Sequence, residues 1–226
     1  ERRAAELQGL LAQARLDAIA AQLNPHFLFN ALNSIAELVH HDADRADRML
    51  VGLSALLRRS LDSSRLQWVS LREELDLLAQ YLEIEKVRLG ERMQVHWRVA
   101  ADCLDEAVPP QLLQPLVENA VVHAIARRIR PGSVRIGAGL AGGALWLDVE
   151  DDGAEGLPDV EGNGIGLANT RARLQALYGD DASLSIEATA TGGTRVSLRL
   201  PRRQAMPAGV HDAPVRNMRF DEVALP

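Results

Sequence analysis

The chain has 226 residues with a formal net charge of −6, and 47% of its residues are hydrophobic. This length and composition predict one or two globular domains with a buried core. The acidic balance disfavours general nucleic-acid binding, which needs basic surfaces, and the single cysteine, Cys103, excludes a disulfide within the chain. No apolar run approaches the roughly 18 residues that a membrane-spanning helix needs.

Residues 1–90 predict a helical domain, because they hold only three glycines and are rich in Ala, Leu, Glu and Arg. Their periodic pattern predicts one long helix from the start of the chain to near Leu61, followed by a connection at 62–64. The abrupt and uncapped start of that helix indicates a fragment of a longer protein.

A capping-box pattern predicts the second helix of this domain. Ser70 and Glu73 have the spacing at which each side chain accepts a hydrogen bond from the backbone of the other residue. The helix is expected to run from Leu71 to Leu89 and to stop at Gly90, a common C-terminal signal. Two helices joined by a short link favour an antiparallel hairpin.

Residues 91–201 change to a mixed pattern of short strands and helices. Two segments have helical periodicity, PQLLQPLVENAVVHAIA and GLANTRARLQALYG. Five short runs with alternating or β-branched apolar residues predict strands: MQVHWRV, SVRIGAGL, ALWLDVE, LSIEAT and TRVSLRL. The whole chain therefore has an α+β pattern, and its second domain is expected to be an α/β sandwich with helices on one face of a mixed sheet. Residues 202–226 have no sustained periodicity and predict a mobile tail or a partner-docking strip.

A proline and a histidine stand side by side in the first predicted helix, within QLNPHFLFN. Pro25 lacks a backbone donor and is expected to kink the helix. Helical spacing places His26 on a polar face beside an apolar stripe. The polar face comprises His26, Asn30, Asn33 and Glu37; the stripe comprises Leu28, Leu32, Ile35 and Val39, widened by Phe27, Ala31, Ser34 and Leu38. The histidine is either a nucleophile beside a hinge or an ordinary surface residue, and this segment alone favours the surface residue.

Four segments of the second domain have the residue types of a nucleotide site: ENAVVHA at 118–124, DDGAEG at 151–156, GNGIGLANTRARL at 162–174 and GGT at 192–194. Asn119 lies within a predicted helix, where its side chain could reach Mg²⁺, a cation that prefers oxygen ligands. Asp151 follows a strand, where its carboxylate could accept from an exocyclic amine such as that of adenine. The glycine-rich loop leads into a helix, so its backbone donors can approach phosphates. Each pattern alone is weak, but their order and spacing predict a nucleotide site.

With these motifs, the chain resembles the cytoplasmic kinase core of LytS-type sensor histidine kinases, from about Gln22 to Pro201. NPHFLFNALNSI is similar to the phosphoacceptor box of that family, and YLEIEKVRLGERM to the second helix of its dimerisation domain. PPQLLQPLVENAVVHA is similar to its asparagine box, and GNGIGLANTRARLQALYG to its glycine-rich ATP-lid box. The resemblance implies a dimeric four-helix bundle at 1–90 and an ATP-binding domain of the gyrase/Hsp90 kind at 91–201. It also implies ATP and Mg²⁺, autophosphorylation on histidine, and phosphotransfer to an aspartate of a response regulator.

The resemblance implies a role for each matching residue. His26 would be the phosphoacceptor, Asn119 the Mg²⁺ ligand and Asp151 the residue that reads adenine. Glu118 would be a catalytic acidic residue, although a structural role fits nearly as well, because its direction on the helix differs from that of Asn119 by about 100°. The other nucleotide-binding residues that the resemblance implies are Gly153, Gly162, Gly164, Gly166, Leu167, Asn169, Arg173 and Thr194.

Three positions depart from the family pattern. Val122 stands where a lysine is usual, Ala124 stands where a glycine is usual, and the second glycine of the DDGAEG segment comes one place late, at Gly156. Arg127 or Arg128 could supply the missing positive charge. These departures favour an alternative function, that of a nucleotide-binding pseudokinase that acts by protein interaction without phosphotransfer.

Two further classes of protein fit the sequence less well. A structural coiled-coil adaptor would have no need of the lid glycines, and a gyrase-like or chaperone ATPase gives no role to NPHFLFN. As a kinase core, the chain is expected to form a homodimer, to bind no nucleic acid, and to join the membrane only through a sensor region outside this segment. The expected location of the fragment is the cytoplasm, with the full-length protein in the bacterial inner membrane.

Overall fold

The structure is a computed structural model, and it describes residues 25–63, 66–126, 130–153, 165–190 and 192–203. Three helices form the first part of this described chain. Helix α1 spans Pro25–Leu38, α2 spans Ala43–Ser63 and α3 spans Leu71–Leu89. Helix α2 packs against both α1 and α3. Every helix in the described ranges is too short or too polar to cross a lipid bilayer.

The predicted single helix up to Leu61 is wrong, because a turn at 39–42 separates α1 from α2. In this turn the backbone N–H of Asp42 donates to the carbonyl of Leu38 at 2.7 Å. The Asp42 carboxylate then accepts from the backbone N–H of Arg45 at 3.0 Å, which caps the start of α2. The predicted two-helix hairpin is therefore a three-helix arrangement in the described chain.

Helix α3 agrees with the prediction at both ends. The Ser70 hydroxyl accepts from the backbone N–H of Glu73 at 3.2 Å, and the Glu73 carboxylate accepts from the backbone N–H of Ser70 at 2.8 Å. This reciprocal pair is the predicted capping box. Gly90 follows the helix with a φ of 61°, and its N–H donates to the carbonyl of Lys86.

Helix α1 buries part of the predicted apolar stripe and leaves the rest of it exposed in the single chain. Phe27, Ala31 and Ile35 are buried, and the Phe27 ring lies 4.8 Å from the ring of Tyr81 on α3. By contrast, Leu32 is 50% exposed and Val39 is 55% exposed. The reason is geometric: both rows have helical spacing, so periodicity alone does not decide which of two adjacent apolar rows meets α2 and α3. The predicted polar positions Asn33 and Glu37 are exposed and Asn30 is half-buried.

Seven strands occur in the described chain, and five of them form one mixed sheet. They are β1 (Val69–Ser70), β2 (Met93–Val99), β3 (Ala107–Val108), β4 (Gly132–Ala141), β5 (Ala144–Asp151), β6 (Ser183–Ala188) and β7 (Thr194–Pro201). The large sheet has the order β2-β4-β5-β7-β6, in which β2 and β4 are parallel and all other neighbours are antiparallel. All five strands predicted from the sequence are confirmed.

The strands β1 and β3 form a small separate ribbon in which Val69 pairs with Val108. This ribbon was not predicted, because two-residue strands are too short to show an alternating pattern. It holds the segment before α3 against the segment that leads into the next helix. Short 3₁₀ turns follow at Gly90–Arg92, Ala101–Cys103 and Gly179–Asp181.

Two helices accompany the large sheet, as predicted. Helix α4 spans Gln114–Ala120 and continues as a wider π-helical turn at Val121–Ala126, and α5 spans Ile165–Tyr178. Helix α4 packs against both β5 and α5. One face of the sheet is apolar and buried against this layer, through side chains such as Val134, Ile136, Leu147, Val149, Val196 and Leu198. The α/β sandwich is therefore confirmed.

The opposite face of the sheet is polar. Glu150 is buried between two cations, accepting from Arg195 Nε at 2.9 Å and pairing with Arg135 from the other side. Three predictions concern residues outside the described ranges: the kink before Pro25, the geometry of the lid loop, and the character of the tail beyond Arg203. The domain boundary near residue 90 also stays a prediction.

Candidate nucleotide site

Asp151 lies at the end of β5 and is held by two backbone donors. Its Oδ1 accepts from the N–H of Gly153 at 2.8 Å and from the N–H of Thr194 at 3.3 Å, and the residue is only 8% exposed. A Cβ atom on Gly193 would lie 1.9 Å from the carbonyl oxygen of Asp151, so the GGT segment must pass this strand without a side chain. Asp151, Gly153 and Thr194, which the sequence assigned to one site, are therefore brought together.

The neighbouring carboxylate has a structural role in the described chain. Asp152 accepts from the backbone N–H of Ser133 at 2.9 Å and from the Ser133 hydroxyl at 3.0 Å. These bonds fasten the end of β5 to the start of β4. Of the two adjacent aspartates, Asp151 is the one that connects with the glycine turn before β7.

Asn119 and Glu118 lie near the end of α4, and both are half-buried. The Glu118 carboxylate accepts from Gln114 Nε2 at 2.9 Å, one helical turn earlier. Directly after this point the helix widens into the π-helical turn that contains Val122. Such widened turns occur frequently at functional sites, and this one coincides with the segment in which the sequence departs from the family pattern.

The start of α5 lies over the first turn of α4. A Cβ atom on Gly166 would be 3.5 Å from the Cβ of Pro115, and Leu167 is buried. The Thr170 hydroxyl donates to the carbonyl of Gly166 at 2.9 Å and holds this first turn of α5. Asn169 is exposed. Gly162 and Gly164 lie outside the described residues.

Arg173 on α5 contacts the protein backbone in the segment before α4. Its guanidinium donates to the carbonyl of Pro110 at 2.7 Å, in the segment that leads into α4. Burial lowers the pKa of this guanidinium, while the nearby Glu74 and Tyr178 raise it. In this structure Arg173 therefore links α5 to the loop before the asparagine helix.

The backbone of His26 lies in the first turn of α1, and its side chain is outside the described part of the structure. The next residue, Phe27, anchors α1 through its contact with the buried Tyr81. Burial raises the pKa of Tyr81, and the carboxylates of Glu85 and Glu118 raise it further. Phe27 therefore packs the first turn of α1 against Tyr81 on α3, a residue whose pKa is also affected by Glu118 on α4.

The chemical types of Asp151 and Asn119 fit a magnesium nucleotide. The Asp151 carboxylate is an acceptor fixed by backbone donors, and the Asn119 amide supplies an oxygen of the kind that Mg²⁺ prefers. Gly193, a residue that the sequence analysis did not name, is needed because backbone approaches backbone there. The repeated glycine of GGT was the signal that could have identified it.

Two family models match the chain along its length. Residues 14–93 match the model described as "Histidine kinase", and residues 105–204 match the model described as "Histidine kinase-, DNA gyrase B-, and HSP90-like ATPase". The first range contains the helix that carries His26, and the second contains the sheet, Asn119 and Asp151. The chain therefore contains a histidine kinase region followed by an ATPase region of the histidine kinase, DNA gyrase B and HSP90 kind, as the resemblance predicted.

The chain is similar to proteins named LytS and BtsS. It is 34% identical to "Sensor protein LytS" of Staphylococcus epidermidis over 215 residues, which are 89% of this chain and 36% of that protein. It is 34% identical to "Sensor histidine kinase BtsS" of Escherichia coli over 196 residues, which are 87% of this chain and 35% of that protein. The chain thus spans about a third of the length of these relatives.

Solved histidine kinase structures are similar at lower identity. The catalytic domain of the histidine kinase ThkA is 18% identical with a TM-score of 0.47, and the match covers 61% of this chain and 97% of that domain. The histidine kinase domain of a blue-light activated kinase from Erythrobacter litoralis is 21% identical with a TM-score of 0.47, and the match covers 89% of this chain and 94% of that domain.

Proposed function

We propose that the chain is the kinase core of a two-component sensor, which phosphorylates itself on His26 with ATP and passes the phosphoryl group to an aspartate of a response regulator. The observation that carries this proposal is the fixed Asp151 carboxylate at the end of β5, a strand that packs against the asparagine helix, in a chain whose first described helix carries the NPHFLFN histidine. The names of the relatives, which are sensor histidine kinases, support the same activity.

Each part of the nucleotide site has a distinct role in this proposal. Asp151 accepts from the exocyclic amine of adenine, which fixes the base at the end of β5. Asn119 holds Mg²⁺, which neutralises charge on the phosphates when it is bound. The lid glycines and the start of α5 supply backbone N–H donors to the phosphates. The protein contributes mainly position and charge, as in phosphoryl transfer generally.

The histidine side chain supplies the nucleophile. A neutral imidazole nitrogen of His26 forms a bond to the γ-phosphorus, the bond from that phosphorus to the β-phosphate oxygen breaks, and ADP leaves. An unperturbed histidine has a pKa near ~6.5, so the neutral form that can attack dominates above that pH. Glu118 is a candidate acidic residue for this step, because it is adjacent to Asn119 near the end of α4.

We further propose that the active form is a homodimer joined through the helical region. Five large apolar side chains on α1, on α2 and in the turn between them are exposed in the single chain: Phe29, Leu32, Val39, Leu50 and Val51. A second copy of the same region would cover them and complete a helical bundle. The response regulator would then meet the helical domain at 1–90, and the nucleotide would bind the domain at 91–201.

The alternative of a nucleotide-binding pseudokinase has one specific observation in its favour. Val122 stands at the π-helical turn after Asn119, where the family has a lysine. The kinase assignment is nevertheless preferred, because both the phosphoacceptor region and the ATPase region match their families. We propose that this core lies on the cytoplasmic side of the membrane, where ATP and Mg²⁺ are supplied, and that the sensor region of the full-length protein is attached to the membrane.

Incubation with γ-labelled ATP and Mg²⁺ tests this proposal. The chain should take up label that is lost in acid and kept in base, the behaviour of phosphohistidine. A purified receiver domain should then remove that label. Nucleotide binding without any acid-labile label would leave the pseudokinase as the function.

A further inference from the structure

One carboxylate of the helical region is buried against the sheet region and accepts from two backbone donors there. Glu74 lies in the first turn of α3 and is 3% exposed. Its Oε2 accepts from the N–H of Gln111 at 2.8 Å, and its Oε1 accepts from the N–H of Leu113 at 2.9 Å. Both oxygens therefore hold the loop at 110–113, which ends where α4 begins.

This loop has a backbone conformation that needs support. Gln111 has a φ of 55°, in the left-handed region that residues other than glycine rarely occupy. Its side-chain amide bonds to the hydroxyl of Ser60 near the end of α2, and lies 3.4 Å from the Ser60 carbonyl. A conformation of this kind persists when the surrounding contacts determine it. The contacts here come from α2 and α3 together.

The same loop is held from the nucleotide side. Arg173 on α5 donates to the carbonyl of Pro110 at 2.7 Å. After Leu113 the chain enters α4, which carries Asn119 little more than one helical turn further on. Residues 110–113 are thus the place where the helical region, the asparagine helix and the helix after the lid are joined.

We propose that Glu74 is a positioning residue for the kinase reaction, whose carboxylate clamps the 110–113 loop and thereby sets the asparagine helix relative to the helices that carry His26. This inference rests on the proposed function. The clamp is strongest with the ionised carboxylate, because hydrogen bonds to a charged acceptor are roughly twice as strong as those to a neutral one. A neutral acid carries a proton on one oxygen, and that oxygen becomes a weaker acceptor for its N–H group.

The environment of Glu74 brings protonation of its carboxylate into the physiological pH range. Burial raises the pKa of Glu74 to about 7, although the N–H donors and the positive charge of Arg173 lower it. Arg173 is the charged group on the surrounding elements that acts on Glu74, while Ser60 and Gln111 are neutral. Arg59, Arg72 and Glu73 are further charged side chains on α2 and α3, and they shift the pKa of the nearby Asp76. Acidification through pH 7 should therefore loosen the clamp.

Calorimetry of Mg·ATP binding tests the clamp in a His26→Gln background, which removes phosphotransfer and the titration of His26 itself. Glu74→Gln keeps the shape but presents an amide donor to one of the two N–H groups. At pH 8 we expect the affinity of Glu74→Gln for the nucleotide to be about tenfold weaker than that of its parent. At pH 6 we expect the two affinities to differ by less than about threefold. Since every variant binds the same nucleotide, protonation of ATP cancels from the comparison. Glu83→Gln, an exposed substitution on the same helix, is the matched control and should follow the parent at both pH values.

Thermal stability distinguishes a positioning role from a merely structural one. The folded-state pKa of Glu74 is raised above its usual value of 4.5. The stability that neutral Glu74 contributes is therefore full below pH 4.5 and is lost as pH rises through about 7. Relative to Glu74→Gln, the parent should lose stability with rising pH while it gains nucleotide affinity. A merely structural role predicts that stability and affinity change in the same direction, and that result would overturn the proposal.

A second measurement decides the matter if Glu74→Gln does not fold. In the parent protein, the amide proton shifts of Gln111 and Leu113 should titrate together with a midpoint close to 7. Amide shifts that do not titrate there would contradict the clamp. If Glu74→Gln folds with unchanged nucleotide affinity, and the chain with His26 intact is phosphorylated, the proposed clamp is wrong and the kinase assignment stands. If Glu74→Gln shows the pH-dependent loss of affinity, but the chain with His26 intact is never phosphorylated, the kinase assignment is wrong and the contact of Glu74 with the 110–113 loop still affects nucleotide binding.

Discussion

The helical region at 25–89 and the sheet region at 93–203 differ in how completely they bury their own apolar side chains. Among the described residues, the helical region exposes Phe29, Leu32, Val39, Leu50, Val51 and, in the segment before β1, Leu66, whereas the sheet region exposes only Trp146 as a large apolar side chain. The sheet region completes its core with its own helices α4 and α5. The helical region has a buried face and a second apolar face without cover in the single chain, as expected of a region that assembles with another copy.

The two regions also differ in the role that is proposed for each. The self-contained region holds the nucleotide through Asn119 and Asp151, and the region that needs a partner presents the histidine. If the comparison is correct, substitutions in the helical region away from the Glu74 clamp should change phosphate uptake or assembly without changing nucleotide affinity. Substitutions at the nucleotide site of the sheet region should change nucleotide affinity without changing assembly. The following predictions test this separation.

The largest expected effect is from His26→Gln. We expect complete loss of acid-labile phosphate, because the amide of glutamine is not a nucleophile toward phosphorus, with Mg·ATP affinity unchanged. Labelling with γ-labelled ATP and calorimetry on the same protein measure the two quantities. Retained acid-labile label in this variant would mean that His26 is not the phosphoacceptor.

Assembly should depend on the exposed apolar face of the helical region alone. Leu32→Glu combined with Val51→Glu would place two charges in the proposed dimer interface, which we expect to weaken dimerisation more than about a hundredfold. Light scattering at micromolar concentration should then report a monomer with ATP affinity unchanged. Trp146→Gln, which removes the exposed apolar side chain of the sheet region, is the control and should leave the dimer intact. A parent chain that is itself monomeric at that concentration would contradict the proposed assembly.

Nucleotide affinity should depend on the sheet region. Asp151→Asn keeps the shape of the side chain but replaces a charged acceptor, and Asn119→Ala removes the proposed Mg²⁺ ligand. Each should weaken Mg·ATP binding roughly 10- to 100-fold, the range for a lost hydrogen bond or ligand to a charged group, while the dimer persists. Calorimetry with unchanged affinity in both variants would remove this site assignment. Asp152→Asn should have a much smaller effect, because Asp152 contacts Ser133.

The smallest effect is expected from Pro25→Ala. The substitution restores a backbone donor beside His26 and should straighten any kink in the helix there. We expect the rate of autophosphorylation to change several-fold, with unchanged ATP affinity and equal or slightly higher stability. Rate measurements at saturating ATP check this. If the rate and the helix geometry both match the parent, Pro25 is only tolerated and does not act as a hinge.

Local signals in the sequence predicted most of the elements. The capping box at Ser70 and Glu73 located the start of α3, and Gly90 located its end, because a helix terminus is satisfied by residues adjacent in sequence. The alternation of apolar residues located the five strands of the sheet. The turn between α1 and α2 was missed, because its polar segment HHDADR at 40–45 contains no glycine or proline and the cap of α2 is a single side chain, Asp42.

The sequence by itself determined the local conformations, the two kinds of domain and the motifs that mark the family. Only the tertiary structure decided which apolar row of α1 is buried, and that row contains Phe27 rather than Leu32 because Tyr81 on α3 packs there. It also decided that Arg173, implied to be a nucleotide-binding residue, contacts the carbonyl of Pro110, and that Glu74 holds the loop before the asparagine helix. These contacts join residues 37 to 63 positions apart in the chain. Their partners come together only when the helices pack, so no short-range pattern in the sequence records them.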